Sequence, residues 1–254
     1  YEISECLVGS EMCIRDRINI NCGGLATGTA LYSDKVDFSK NTIVYEVKSK
    51  ALYEKVPFVL GMMEEIMYNT RFDDYKRLKE IIARIKSRLE ASLMGQGHSI
   101  AMLECCAQFS ESAYYSDILR GYKYYEFIKK LDEEFEQNKT QIVDKLNKLV
   151  GYIFNKDNVI VSLTADDEGY DCFVKALSAK SCNIKDEHYN TAVRSFIPVN
   201  VKTGYTSASQ VQYVARCGNF VKDGYKYTGA LKVLKVIFLS LIHISEPTRH
   251  SLIS

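Results

Sequence analysis

FDDYKRLKEIIARIKSRLEASLMGQG, Phe72–Gly97, decides the fold class, because its apolar residues recur with a helical period. Leu78, Ile81, Ile82, Ile85, Leu89 and Leu93 fall on one stripe, and Lys76, Arg77, Lys79, Glu80, Arg84 and Lys86 face away from it. Asp73 and Asp74 open the run, where acids complement the positive end of the helix dipole. Gly95 and Gly97 punctuate its end. The spacing predicts a long helix with one buried face.

Upstream the period shortens to two. TIVYEVKSKAL, Thr42–Leu52, puts Ile43, Tyr45 and Val47 on one side and Val44, Glu46 and Lys48 on the other. With LATGTALYSD, Leu25–Asp34, and a polar turn carrying Ser39 and Asn41, it predicts an antiparallel strand pair with one buried face. CGGLATG, Cys22–Gly28, reads as a close backbone approach before a strand. Neither it nor GYTSAS, Gly204–Ser209, has the GxxxxGK[ST] spacing of a phosphate loop.

A helix is expected from Tyr53, with Pro57 in its first turn and Val59, Met62, Met63, Ile66 and Met67 as core stripe. Further helical runs cover Tyr122–Phe135, Thr140–Ile153 and Asp166–Ala179, the last carrying Tyr170, Phe173, Val174 and Leu177. DNVIVSLTA (Asp157–Ala165) and SQVQYVARC (Ser209–Cys217) read as strands, and Gly224–Phe238 as a helix with Leu231, Leu234 and Ile237 on one side. Ser181–Thr206 is the least periodic stretch and reads as a linker. Strands grouped before long helices predict an α+β fold, with an antiparallel or mixed sheet, helices on one face and an incomplete second unit after it.

A net charge of +1 gives no electrostatic case for nucleic acid or an anionic membrane. The basic face of Phe72–Gly97 is interleaved with acids and lacks stacking aromatics, so it is not a nucleic-acid patch. Eight cysteines without a CxxC predict thiols in a reducing compartment. The apolar run Val233–Ile244 is too short to span a bilayer. Tyr1–Arg17 and Ser240–Ser254 have no period and no closable caps. Both resemble sequencing-adapter DNA translated in frame, a recurrent artefact of metagenomic reading frames, which predicts a native stretch from Ile18 to Leu239 cut at both sides.

GQGHSIAMLECC, Gly95–Cys106, gathers zinc-ligand residue types: His98, Glu104, Cys105 and Cys106. A helical zinc site needs two histidines about one turn apart on one face with a glutamate beside them, so that both nitrogens meet one ion and the acid activates water. Here there is one histidine, the cysteines are adjacent and point apart, and neither HxxEH nor HExxH occurs in the chain. The stretch reads as a histidine near a helix start, with cysteine as small apolar filler. His188, in DEHYN, has two acids beside it but no second donor, and reads as a solvated linker residue. No GxSxG elbow is present. No catalytic residue, cofactor contact or metal ligand is assigned to the chain.

Several segments together resemble the presequence-protease branch of the pitrilysin/insulinase zinc metallopeptidases. They are INCGGLATGTALYSD, then the run from Phe58 to Leu131 that includes FVLGMMEEIMYNT and GHSIAMLECCAQFSESAYYSDILRGYKYYEF, then DNVIVSLTADDEGYDCF, and SASQVQYVARCGNFVKDGYKYTGALKVL. The resemblance implies four similar α+β units joined as two halves that close over unfolded peptide. Residues 18–180 correspond to the third unit, 181–203 to a linker, and 204–239 to the start of the fourth. The family's inverted HxxEH zinc site lies in the first unit, so zinc belongs to a preceding N-terminal half that would be this chain's partner. The family's substrate-contacting RxxGGAY-like stretch has no counterpart here, so no functional residue carries over. The chain is then expected to form chamber wall for unstructured peptide substrates in the cytoplasm, or in an organelle matrix for a eukaryotic source. A non-catalytic scaffold or partner subunit of the same family is the alternative.

Overall fold

The long amphipathic run is one helix, Tyr75–Gly95, in a computed structural model that describes residues 16, 18–35, 40–179, 196–206 and 211–245. In chain order the elements are β1 (Leu25–Ser33), β2 (Asn41–Ser49), α1 (Val56–Tyr68), α2 (Tyr75–Gly95), α3 (Gly97–Ala107) and α4 (Glu111–Arg120). There follow α5 (Tyr122–Glu133), α6 (Phe135–Ile153), α7 (Asp167–Ser178) and α8 (Gly229–Ser245). The fold is α+β, with an antiparallel sheet and packed helices, as the periodicities predict.

Local chemistry sets the ends of these helices. Asp74 caps α2 by accepting the Arg77 N–H at 2.9 Å, and Asp166 does the same for α7 through the Gly169 N–H at 2.9 Å. Glu134 interrupts what the sequence reads as one run ending at Phe135, so that α6 starts at Phe135 rather than at Thr140. Tyr53–Lys55 is a 3-10 turn ahead of α1, and α8 begins five residues later than Gly224, which sits in a turn at φ +86°. Helices α3 and α4, shorter than the others around them, were not resolved as separate runs by periodicity.

Ile82 of α2, Ile128 of α5, and Phe135 and Ile142 of α6 form the buried core. Leu78, Ile85 and Leu89 of the predicted stripe pack against it, joined by Tyr124, Leu131 and Leu146. Across the outer rim, Lys86 pairs with Asp132 at 2.7 Å and Lys79 with Glu136 at 2.6 Å. Such rim pairs are worth well under about 1 kcal/mol each, so burial of the stripe carries the assembly.

β1 and β2 pair antiparallel, with Leu25 opposite Ser49 and Ser33 opposite Asn41. The ladder continues past its end, where the Gly23 N–H donates to Lys50 O at 2.8 Å. Gly24 follows at φ +119°, a left-handed position that suits glycine. The expectation of a buried face is only half met: Ile43 and Tyr45 stay 43% and 41% exposed, although Tyr45 sets its ring edge-on to Phe154. Helix α4 rests on β1, and Asn41 Nδ2 donates to Glu111 Oε2 at 3.1 Å.

Two predicted strands do not form. Lys156–Asn158 is a 3-10 turn and 159–165 joins no ladder, leaving Ile160 86% exposed. Residues 211–217 likewise pair with no strand, and 209–210 lie outside the described residues. Alternation makes a segment suited to a sheet, but a strand exists only where a neighbour offers a free edge. Among the described residues the sheet has two strands, β1 and β2.

Residues 196–206 instead run as an extended strap antiparallel to α3. The Val199 N–H donates to Gln108 O and the Val201 N–H to Gln108 Oε1, both at 2.8 Å. Further along, the Tyr213 hydroxyl donates to Met94 O at 2.8 Å, and its ring fills the space where a Cβ on Gly97 would stand 2.3 Å away. The chain divides into two compact units, 1–214 and 215–254. Helix α8 lies in the second.

Candidate functional site: a buried carboxyl pair

Gln96 both ends α2 and begins α3, so the junction is that single residue, and Gly97 and His98 open α3 rather than forming a turn between the helices. His98 points outward and its ring lies 6.3 Å from that of Tyr213. Cys105 and Cys106 are half-buried and form no disulfide. Glu104 is the residue of this stretch that turns inward, at 8% exposure, on the face it shares with Gly97, Ile100 and Ala107. Helical phase therefore puts the carboxylate, not the thiols, inside.

Glu104 faces Asp117 of α4, which is fully buried. Lys123, near the start of α5, places Nζ 3.0 Å from Asp117 Oδ2, and its own N–H donates to Asp117 Oδ1 at 3.4 Å. From the strap, the Tyr205 hydroxyl donates to Glu104 Oε1 at 3.3 Å. The Tyr205 ring lies on Tyr122, with centroids 3.7 Å apart. Four segments of chain thus converge on two carboxyls.

Gly121 makes the approach possible. It ends α4 and begins α5, and a Cβ there would stand 2.2 Å from Asp117 Oδ1 and 2.8 Å from Asp117 Cα. Gly121→Ala is expected to lower stability by about 1–3 kcal/mol, the usual cost of overpacking. Urea unfolding measures it, and an unchanged midpoint would show that the junction yields freely.

Among the described residues, the buried side-chain oxygens that accept no hydrogen bond are Glu104 Oε2 and Asp117 Oδ2, and the second of these has the Lys123 ammonium as its ion-pair partner at 3.0 Å. Two carboxylates cannot satisfy each other, whereas a protonated Glu104 donates to Asp117 and pairs both. The Glu104 carboxyl is accordingly held above the ordinary glutamate range, first by burial and then by its bond to Asp117 and that group's charge. Lys123 and the Tyr205 bond act in the opposite sense and are outweighed. Tyr205 is itself raised well above the usual phenol range, by burial first and then by Glu104. Chemically, the arrangement suits one proton held between two acids, with Lys123 beside the remaining charge and a tyrosine hydroxyl on Glu104.

No three His, Cys, Asp or Glu side chains converge to hold a metal among the described residues. The donor set therefore does not fit zinc, which takes three or four protein ligands. His188 and its flanking acids lie outside the described residues. Sequence reasoning passed over Asp117, Lys123 and Tyr205. A signal existed for the first: Asp117 stands in helical phase with Tyr114 and Gly121, an acid on an inward face.

Residues 10–131 match the family described as Peptidase M-16C associated. The chain carries the peptidase-associated region of that family. Its relatives agree with this. Protein HypA of Clostridium perfringens is 32% identical over 88% of this chain and 23% of its own length. The mitochondrial presequence protease of Drosophila melanogaster is 28% identical over 56% of the chain and 14% of its own length. Presequence protease 1, chloroplastic/mitochondrial, of Arabidopsis thaliana is 23% identical over 74% of the chain and 18% of its own length. The chain thus spans less than a quarter of each of these relatives. Glu104, Asp117 and Lys123 all fall inside the peptidase-associated match, and Tyr205 falls beyond it. Among the described residues no helix is long and apolar enough to cross a membrane.

Proposed function

We propose that this chain is a non-catalytic region of a zinc metalloendopeptidase that degrades unstructured peptides, and that it forms part of the wall of the substrate chamber. The observation that carries this reading is the peptidase-associated match at residues 10–131, together with relatives whose names say presequence protease. The geometry suits a wall: stacked helices with a shared core, tied at one end by a buried polar clasp. The catalytic half of the same protein is the partner, zinc is held there, and unfolded peptides are the substrates. The cytoplasm is the compartment, or an organelle matrix if the source is eukaryotic.

The test compares this chain with the full-length protein encoded at its locus, using a fluorogenic unstructured peptide and metal analysis. The full-length protein is expected to cleave the peptide and to lose that activity to a chelator, while the chain alone neither cleaves nor holds stoichiometric zinc. Cleavage by the chain alone, or one zinc per chain, overturns the reading. A full-length protein whose HxxEH is degenerate and which cleaves nothing would replace it with the scaffold alternative.

A further inference from the structure

Residues 159–165, VIVSLTA, are rich in β-branched residues and carry no charge. The backbone is extended where it leaves Val159 (φ −83°, ψ 122°) and where it reaches Asp166 (φ −80°, ψ −176°), with neither helix nor turn between them. Among the described residues none exchanges a backbone hydrogen bond with this segment. Its side chains are open too: Val159, Val161 and Leu163 are 38%, 53% and 40% exposed. A row of free amides flanked by apolar side chains, with no lysine or proline to guard it, is a template on which another strand forms.

The segment is fastened at both ends. At its start Asn155 is buried, its Oδ1 accepts the Asp157 N–H at 3.3 Å, and Asn158 Nδ2 donates to Tyr152 O at 2.8 Å. At its end Asp166 caps α7 and accepts the Tyr53 hydroxyl at 2.6 Å, while the Tyr53 ring lies against buried Gly169. A backbone fixed at both ends before its partner arrives loses less entropy on pairing than a free loop does.

Chemistry selects the partner. A folded protein has used its amides in its own helices and ladders, whereas an unstructured peptide brings a whole row of them. Main-chain bonds read no side chain, so a site of this kind takes many sequences provided that they are unfolded. Asp167 and Glu168, in the first turn of α7, make one end acidic and favour a peptide that is basic there. We propose that residues 159–165 are a docking strand for unstructured peptide, which adds to this backbone in extended form with apolar side chains against Val161 and Leu163. Resting on the reading of the chain as chamber wall, this places substrate on a defined stretch of it.

The probe is a fluorescein-labelled peptide of alternating valine and serine with a lysine at each end, and its anisotropy is read against the chain. N-methylating its central amides keeps every side chain, removes the donors, and is expected to weaken binding by about tenfold or more. Alternate amides of a strand face one edge, so Val161→Pro and Ser162→Pro are both made, and at least one is expected to weaken binding by about as much. Val161→Thr keeps the amide and should bind within about threefold of wild type. Hydrogen exchange at 159–165 is expected to be fast in the free chain and slowed about tenfold or more by peptide. The docking strand is overturned if the peptide does not bind, if its N-methylated form binds equally well, or if neither proline weakens binding. It is overturned too if either proline unfolds the chain, or if the amides are protected before peptide is added. Such protection means a strand within the chain when it is independent of protein concentration, and a second copy when it is not. In the full-length protein the prolines are expected to raise KM for this peptide. An unchanged KM in an active protease would sink the docking strand and leave the proposed function standing. A full-length protein that cleaves nothing would sink that function, and binding to the chain then decides the docking strand.

Discussion

Replacing Phe135 with alanine is expected to remove about 3–5 kcal/mol of stability, a large part of what a domain of this size possesses. Phe135 is 2% exposed and lies among Ile82, Ile128 and Ile142, so its ring fills the junction of α2, α5 and α6. It is also the first residue of α6, directly after the break at Glu134. Truncation therefore opens a void where two helices change direction, and it removes the contact that fixes their angle. Some collapse is available, because the chain can bend at Glu134, and this sets the lower end of the range. Phe135→Leu retains most of the volume and should cost about half as much or less. Urea unfolding with the slope unchanged checks both variants, and a loss below about 1 kcal/mol for the alanine would mean that the core does not converge on this ring.

The sequence made the helices easier to read than the sheet, for a physical reason. A helix satisfies its backbone within one segment, so the stripe from Leu78 to Leu93 carries nearly all the information α2 needs. A strand borrows its hydrogen bonds from a neighbour, and alternation says nothing about whether one is present. LATGTALYSD and TIVYEVKSKAL are near neighbours in sequence and pair antiparallel as expected. DNVIVSLTA has equally good alternation and no ladder. The site was legible only in part for a similar reason. Glu104 drew attention because it stood beside His98 and two cysteines, yet its true partners lie on α4, on α5 and in the strap, up to 101 residues away. Only the inward phase of Asp117 on its helix was written locally.

Asp117→Ala is the substitution that tests whether this polar cluster stabilises the fold, and it is expected to cost about 3 kcal/mol. Three losses combine. The Glu104 proton loses its acceptor, the Lys123 N–H loses Oδ1, and the fully buried site is left with a void. Lys123 contributes little of this, because its side chain is 39% exposed and can turn to water. Asp117→Asn separates the causes: it keeps the volume and one acceptor oxygen while removing the charge. Its cost should be near the roughly 1 kcal/mol of a single hydrogen bond. Removing that anion also withdraws one of the influences that hold the Glu104 carboxyl up, leaving burial to act without it. The two carboxyls act as a unit, so their effects cannot add. In a Glu104→Gln background the buried amide still needs an acceptor, and Asp117→Ala should remain costly. In a Glu104→Leu background that donor is gone, and the cost of Asp117→Ala should fall by about 1 kcal/mol or more. Equal costs in wild type and Glu104→Leu would mean that the carboxyls face each other without sharing a proton.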